Sequence, residues 1–258
     1  MFKKNFLNSL YIIFLGAISS YSLPPYNYFI INFITFSLFF IFIFNKKKTP
    51  NNKHFFQYGW YFGFGYFLFS LYWISISLTF DQSFKFLIPV AVILLPAFLA
   101  IFYGLMTYLF SIFYSKNVII SFFIFSILFG TIEFVRGSIL TGFPWNLISF
   151  SFSSSIYFIQ ILSIIGTYSF NLICISLFTL PALFILKNSR TEIVVCFFFI
   201  LISVAFLIFG KITDNHFNSL ESVKNSYTIK AISPNINLDR FYSKKDEIKI
   251  INELIELS

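Results

Sequence analysis

Two oppositely charged residues, Glu133 and Arg136, lie three positions apart at the end of an apolar run. On a helix this spacing places both side chains on one face. In a bilayer each charge costs about 2.5–3.5 kcal/mol at mid-depth, and the cost falls near a helix end. Two interpretations follow. The pair is a structural ion pair that pins the helix end, or it anchors a phospholipid headgroup or an outer domain.

The residues after this pair form an uncharged stretch that extends to Lys187, too long for one helix. Its first part, residues 137–146, reads GSILTGFPWN, and a serine-rich run follows. Glycine, proline and serine at this density break helices. Irregular backbone cannot face lipid, so we expect this part at the membrane interface or packed against protein. The candidate lipid-facing or substrate-facing residues are Glu133, Arg136, Gly142, Phe143, Pro144 and Trp145.

The other reactive side chains form no recognisable site. Cys174 and Cys196 lie inside apolar runs without a neighbouring base or cation, so we interpret both as packing residues. His54 lies in a lysine-rich loop, and His216 has only Asp214 nearby, which is too few ligands for a metal. The sequence has no Ser-His-Asp constellation and no phosphate loop. We therefore expect no metal site and no cofactor.

The composition explains which elements must position the candidate residues. The 258 residues are 58% hydrophobic and only 11% charged, against about 25% charged in soluble domains. A membrane-spanning helix needs roughly 20 apolar residues. The sequence contains seven candidate spans, at Phe6–Leu23, Tyr26–Phe44, Phe55–Phe80, Phe86–Tyr114, Asn117–Ile132, Tyr157–Leu186 and Ile193–Gly210.

The basic residues predict how these spans are oriented. With a cytoplasmic N-terminus, the inner segments carry nine Lys and Arg residues, and the outer segments up to Gly210 carry two. The positive-inside rule therefore favours a cytoplasmic N-terminus, and seven crossings then place everything after Gly210 on the outer side. No stretch mixes basic and aromatic residues on a polar face, so we exclude a nucleic-acid partner.

The third span begins with a glycine-rich motif, Gly59-Trp-Tyr-Phe-Gly63-Phe-Gly65. Small residues four positions apart allow two helices to approach closely. The alternative interpretation of this motif is an aromatic groove for an acyl chain.

The last 48 residues have a soluble balance of charge, with seven basic and seven acidic residues. Residues 227–233 predict a short strand, residues 234–237 a turn, and residues 243–246 a helix start. Ile248, Ile251 and Ile255 then form a helical stripe. One strand and one helix cannot bury a core. We therefore expect this part either to dock on another chain or to be the start of a larger α/β domain that continues beyond Ser258.

The motifs together point to a family. Residues 133–146 resemble the E-x-x-R-G-x-x-x-T-G-F-P-W signature of apolipoprotein N-acyltransferases, and Gly59–Gly65 with Tyr72-Trp73 resembles that family's third-span motif. Residues 229–236 are similar to the first strand of its nitrilase-like domain, although Ser233 stands where glutamine is common. The similarity covers residues 6 to 258.

The resemblance implies a multi-pass enzyme of the bacterial inner membrane, with residues after 210 in the periplasm. Such enzymes move an acyl chain from a phospholipid donor to the α-amino group of the lipidated N-terminal cysteine of an apolipoprotein acceptor. They use a thioester on a cysteine within a Glu-Lys-Cys triad of the nitrilase-like domain. The positions that match this triad lie beyond Ser258, and neither Glu253 nor Glu256 fits its motif.

The predicted fold is an all-α polytopic membrane bundle of about seven transmembrane helices over residues 1–210. The incomplete start of an α/β nitrilase-like domain follows over residues 211–258. We expect no catalytic residue within the 258 residues, and therefore no activity from this chain alone. The alternatives are a non-catalytic module that binds lipid or a partner, and a transporter. The absence of paired broken helices in the sequence argues against the transporter.

Overall fold

The computed structural model describes residues 2–46, 53–139, 142–187, 189–220, 230–231 and 247–257. All regular structure within these ranges is helical. The α-helices are α1 (Phe2–Ser20), α2 (Ile30–Lys46), α3 (Lys53–Leu71), α4 (Ile88–Phe113), α5 (Val118–Ser138), α6 (Ile156–Ile159), α7 (Leu162–Ile185), α8 (Thr191–Ser219) and α9 (Glu247–Leu257). Three 3₁₀ helices cover Tyr72–Thr79, Gln82–Leu87 and Ile148–Phe152.

Five helices are long and apolar enough to cross a bilayer: α3 and α4 with their 3₁₀ extensions, α5, α7 and α8. Two shorter apolar helices cover Phe6–Ser20 of α1 and Ile30–Lys46. The predicted helical, multi-pass architecture is therefore confirmed, while the count of seven spans stays a prediction.

Two predicted spans differ from the helices that form. The third run is α-helical only to Leu71 and then continues as a 3₁₀ helix. The sixth run divides into the single turn of α6 and the long α7, and α7 itself is interrupted at Gly166, where φ is +74°. Glycine adopts positive φ without a steric penalty, which explains why the interruption falls there. The other predicted runs differ from their helices mainly at the ends.

Helices that follow one another in the chain run in alternating directions, so the helix ends gather at two ends of the bundle. Ser19 contacts Asn32, and Tyr11 contacts Phe42, so α1 and α2 are antiparallel. We call the end where α2 stops and α3 starts the lysine end, and the opposite end the loop end. The lysine end carries the positions Lys46, Lys53, Lys116, Lys187 and Arg190, and the loop end carries Lys85 and Arg136.

The core is largely aromatic. Phe39 of α2 stacks on Phe62 of α3 with ring centroids 4.3 Å apart, and Tyr103 of α4 packs edge-on against Phe129 of α5 at 4.7 Å. All four side chains are fully buried. Such ring pairs add about 0.5–1.5 kcal/mol beyond the area they bury. Residues of α1–α5 and α7 therefore belong to one continuous core that is largely aromatic.

Glycines allow the closest helix contacts. A Cβ at Gly59 would lie 2.0 Å from the carbonyl oxygen of Tyr103, and one at Gly65 would lie 2.1 Å from that of Ile13. The glycine motif of the third span therefore holds α3 against α4 and α1, as the helix-packing interpretation predicted. Gly210 of α8 likewise lies against the backbone of Tyr157, which places the C-terminal part of α8 at the loop end.

The C-terminal part is described only in places. The predicted turn and helix start lie outside the described residues, as does the predicted strand except for Lys230 and Ala231. Helix α9 forms at the predicted stripe, and Ile248 and Ile251 are 74% and 53% exposed.

Candidate functional site

The chain turns back onto α5 directly after that helix ends. Gly142 has a φ of +79°, and its N–H donates to the Ile139 carbonyl at 2.8 Å. The Phe143 N–H then donates to the Arg136 carbonyl at 3.2 Å. A Cβ at Gly142 would lie 2.5 Å from the Gly137 carbonyl oxygen, so the turn needs glycine for space as well as for φ. Residues 142–147, which we call the return segment, consequently lie over the end of α5.

The side chain of Arg136 forms hydrogen bonds with the backbone of the return segment. Its Nε and Nη2 donate to the two carboxylate oxygens of Glu133 at 3.2 and 2.8 Å. Its Nη1 donates to the carbonyl oxygens of Phe143 at 2.7 Å and Trp145 at 3.0 Å. The guanidinium carbon also lies 5.2 Å from the ring centroid of Phe67. Both charged side chains are fully buried, so the ion pair and the two carbonyls satisfy a cation that would otherwise be very costly to bury.

A second set of hydrogen bonds ties the return segment to α3. The Tyr66 hydroxyl donates to the Asn146 carbonyl at 2.9 Å, and the Asn146 side-chain amide donates to the Ser70 carbonyl at 3.2 Å. Asn146 itself has a φ of +57°, a conformation that asparagine tolerates better than most residues. The return segment is therefore held by α5 through Arg136 and by α3 through Tyr66 and Ser70.

This anchoring places two tryptophans face to face. Trp145 of the return segment stacks on Trp73, the second residue of the 3₁₀ helix after α3, with centroids 5.2 Å apart and planes at 14°. The ring of Phe143 also lies near Trp145, with centroids 6.0 Å apart. Trp73 is fixed in turn by a hydrogen bond from its indole N–H to the Ser70 carbonyl at 3.0 Å.

The stacked tryptophans line two cavities at the loop end. The larger one, of about 830 Å³, has a mixed lining that includes hydroxyl and amide groups. We call it the mixed cavity; among the residues that line it are Pro24, Tyr26, Ser70, Trp73, Trp145, Asn146, Thr167 and Tyr168. The smaller one, of about 520 Å³, is the apolar cavity, lined by Trp73, Ile74, Ile76, Ser77, Phe80, Phe143 and Trp145. The tryptophan pair therefore lines both the mixed cavity and the apolar cavity.

The hydroxyl of Ser70 adds a polar group at this wall. Its oxygen is buried and forms no hydrogen bond with the described residues. A buried hydroxyl without a partner is uncommon in folded proteins. The arrangement suits a molecule with one polar end and at least one hydrocarbon chain.

The six candidate residues divide into three groups. Pro144 and Trp145 line the mixed cavity, and Phe143 and Trp145 line the apolar cavity. Glu133 and Arg136 are buried beneath the return segment, in the position expected of a structural ion pair. Gly142 forms the turn. Thr141 lies outside the described residues, and contact between any of the six and a substrate stays a prediction.

Several residues of the site are absent from the sequence-based candidates. Trp73 belongs to the Tyr72-Trp73 pair of the family motif, so a signal for it existed. Tyr66, Ser70 and Tyr168 carry no local signal, because each becomes relevant only through helices that meet at the loop end.

The remaining reactive side chains stay apart from the site. Cys174 is fully buried in α7, and Cys196 is partly buried with its Sγ 3.8 Å from the Leu180 carbonyl. His54 is exposed and contacts Gln57. Within the described ranges no three His, Cys, Asp or Glu residues cluster as metal ligands would. Both cysteines therefore have the packing positions that their neighbours predicted.

Comparison with known proteins identifies a family with a similar sequence. The sequence model of the apolipoprotein N-acyltransferase N-terminal domain matches residues 15–180, a range that includes the return segment and Trp73. The apolipoprotein N-acyltransferase of Rhizobium etli is 36% identical over 188 residues, which cover 69% of this chain and 35% of that protein. Those of Rhodopseudomonas palustris and Brucella melitensis are each 28% identical over 253 residues, covering 94% of this chain and 46% of theirs.

The chain thus spans between about a third and a half of the length of the curated relatives that it matches. The matched region contains the buried ion pair, the tryptophan stack and both cavities. The chain belongs to the apolipoprotein N-acyltransferase family.

Proposed function

We propose that this chain is the membrane domain of an enzyme that moves an acyl chain from a phospholipid to the N-terminal amine of a lipidated apolipoprotein. The observation that supports this most directly is the pair of hydrogen bonds from Arg136 to the carbonyls of Phe143 and Trp145. They hold Trp145 against Trp73 at the boundary of two cavities. The same residues lie in the region that matches the family.

The two cavities fit the chemistry of both substrates, since each has a polar end and acyl chains. In our proposal the polar end of the donor lies in the mixed cavity, where Ser70 and Asn146 offer hydrogen bonds. The hydrocarbon chain lies in the apolar cavity against Phe80 and Phe143. The role of the bundle is then to bind and orient, which lowers the entropic part of the barrier for the transfer step.

We also propose an orientation. The lysine end carries five of the basic positions assigned to the two ends and the loop end carries two. By the positive-inside rule the lysine end faces the cytoplasm of a bacterial inner membrane, and the loop end faces the periplasm. Seven crossings then place the N-terminus inside and the residues after 210 outside.

The transfer chemistry is, in this proposal, carried by a nitrilase-like domain whose first part lies within residues 211–258, after α8 ends at Ser219. The two cysteines of the chain lie in helices and away from both cavities. A nucleophilic thiol needs a nearby base or cation, and the sequence around these two provides none. We therefore expect no acyl transfer by the 258 residues alone.

A chimera tests the proposal. Residues 1–219 are joined to the remaining part of the Rhizobium etli relative and placed in lipid nanodiscs with an acyl-labelled phospholipid and a diacylglyceryl-cysteine peptide. We expect labelled peptide from the chimera and from the unaltered relative, but not from the 258-residue chain. Robust transfer by the chain itself would contradict the expected inactivity.

The second candidate is a membrane module that binds lipid or a partner and performs no chemistry. Neither cysteine lines the mixed or the apolar cavity, and this favours the non-catalytic module as the role of the 258 residues by themselves. A correctly folded chimera that binds phospholipid through the loop end but transfers nothing would support this alternative.

A further inference from the structure

A third cavity lies at the lysine end, between α1 and α2. It has a volume of about 440 Å³ and is lined by Tyr11, Leu38, Ile41, Phe42, Asn45 and Lys46. The α2 residues at positions 38, 41, 42 and 45 recur at intervals of three and four, so they form one helix face. Tyr11 of α1 closes the other side, with its ring 6.1 Å from that of Phe42. We call this space the lysine-end groove.

The groove combines an apolar floor with a cation at its end. The ammonium of Lys46 lies 5.2 Å from the ring centroid of Phe42, at the last residue of α2. A lysine placed this way keeps its methylene stem on apolar surface and its charge at the bilayer boundary. Asn45 is exposed beside it and adds an amide donor.

The sequence that forms and follows the groove is basic. Lys47 and Lys48 follow Lys46 directly in the sequence, and Lys3 and Lys4 belong to the first turn of α1, which starts at the same end. No aspartate or glutamate occurs in the sequence before Asp81.

The two helices that form the groove also carry exposed apolar side chains. Leu10 and Phe14 of α1 and Ile34 of α2 are exposed apolar side chains on these two helices. In a bilayer this surface faces lipid, so a chain entering the groove would come from the membrane rather than from water. Basic pockets between transmembrane helices are known binding places for anionic headgroups.

We propose that the lysine-end groove binds an anionic phospholipid, with the phosphodiester at Lys46 and Asn45 and an acyl chain along Leu38, Ile41 and Phe42. This site is at the opposite end of the bundle from Trp145 and is separate from the proposed substrate site. It depends on the chain spanning a bilayer but not on acyl transfer, so either proposal can fail while the other stands.

The test is native mass spectrometry of the full chain in detergent with equimolar phosphatidylglycerol and phosphatidylethanolamine. We expect wild type to retain phosphatidylglycerol preferentially. Each basic residue near a membrane surface contributes an affinity factor of about five for an anionic lipid. Lys46→Gln and Asn45→Asp should therefore each lower the preference about fivefold, while Asn45→Lys should raise it by a similar factor. Lys46→Arg should retain the preference for phosphatidylglycerol, because the positive charge remains.

Lys187→Gln is the matched control. Lys187 also lies at the lysine end, with its ammonium 4.9 Å from the ring centroid of Phe184, but it lines none of the three cavities. An equal loss in Lys187→Gln and Lys46→Gln would mean general electrostatic attraction and would overturn the site. No preference in wild type, displacement by millimolar inorganic phosphate, or a lipid-free dimer that forms through this face would overturn it as well.

Discussion

Arg136 and Trp145 are nine positions apart, yet the guanidinium Nη1 donates to the Trp145 carbonyl at 3.0 Å. This hydrogen bond acts on the backbone and leaves the indole free to stack on Trp73. A charge buried in the end of α5 thus determines where an aromatic side chain lies on the surface of a cavity.

Arg136→Met should destabilise the protein strongly. It leaves the Glu133 carboxylate buried without its cation, and breaking a buried pair in this way costs about 3–5 kcal/mol. The double variant Glu133→Gln with Arg136→Met should recover part of the loss, because the buried charge is gone. Thermal unfolding in detergent measures both. If Arg136→Met and the double variant are equally stable, then burying the Glu133 carboxylate without Arg136 carries no penalty, which would contradict the prediction.

Gly142→Ala should cost more than Gly166→Ala. Both glycines have positive φ, +79° and +74°, so both substitutions strain the backbone by about 1–3 kcal/mol. Only Gly142 has a close neighbour, since an added Cβ would lie 2.5 Å from the Gly137 carbonyl oxygen while nothing lies within 4 Å at Gly166. We expect Gly142→Ala to lose at least about 1 kcal/mol more free energy of unfolding, and similar losses would contradict the contact.

Trp145→Ala in the chimera should weaken lipid binding and turnover together. A well-packed aromatic contact contributes about 0.5–1.5 kcal/mol beyond the area it buries, so losing the proposed contact with the lipid should lower lipid affinity and turnover roughly twofold to tenfold. Trp73→Phe should retain most of the activity, because a phenyl ring still stacks.

The control for this substitution is Trp60→Phe. Trp60 bonds to the Ala97 carbonyl between α3 and α4 and lines none of the three cavities. If Trp145→Ala leaves both turnover and lipid affinity unchanged, then Trp145 does not contact the substrate.

Gly59→Ala should disrupt the contact between α3 and α4 more than Gly104→Ala does. The added methyl group at Gly59 meets the backbone carbonyl of Tyr103 at 2.0 Å, which cannot move without the helix. At Gly104 it meets the ring of Phe56 at 2.8 Å, and a side chain can shift. We expect overpacking at Gly59 to cost about 1–3 kcal/mol, measured by unfolding in a denaturing detergent, with a clearly smaller loss at Gly104.

The sequence predicts the helical bundle and the irregular return segment well, because both follow from composition and from helix breakers. The sequence also predicts that Glu133 and Arg136 lie side by side, because residues three positions apart share one face of a helix. The change to a 3₁₀ helix at Tyr72 could not be predicted, because both helix types use the same apolar residues. The stack of Trp73 on Trp145 is equally invisible, since it depends on how α3 and α5 end beside one another.

The interruption at Gly166 has no signal in the sequence, for a related reason. A glycine in an apolar run is tolerated by transmembrane helices, and its sequence neighbours do not show whether the chain bends there. The role of Ser70 and Tyr66 requires knowledge of which helix ends meet, which only the packed bundle supplies.

The contact of Gly210 with the backbone of Tyr157 has a consequence for the domain that we propose to follow α8. It holds the C-terminal part of α8 at the loop end, the end where Trp73 and Trp145 stack, so in our proposal the nitrilase-like domain begins at the same end of the bundle as the lipid site. A lipid bound at that end would then meet the proposed domain without having to cross the bundle.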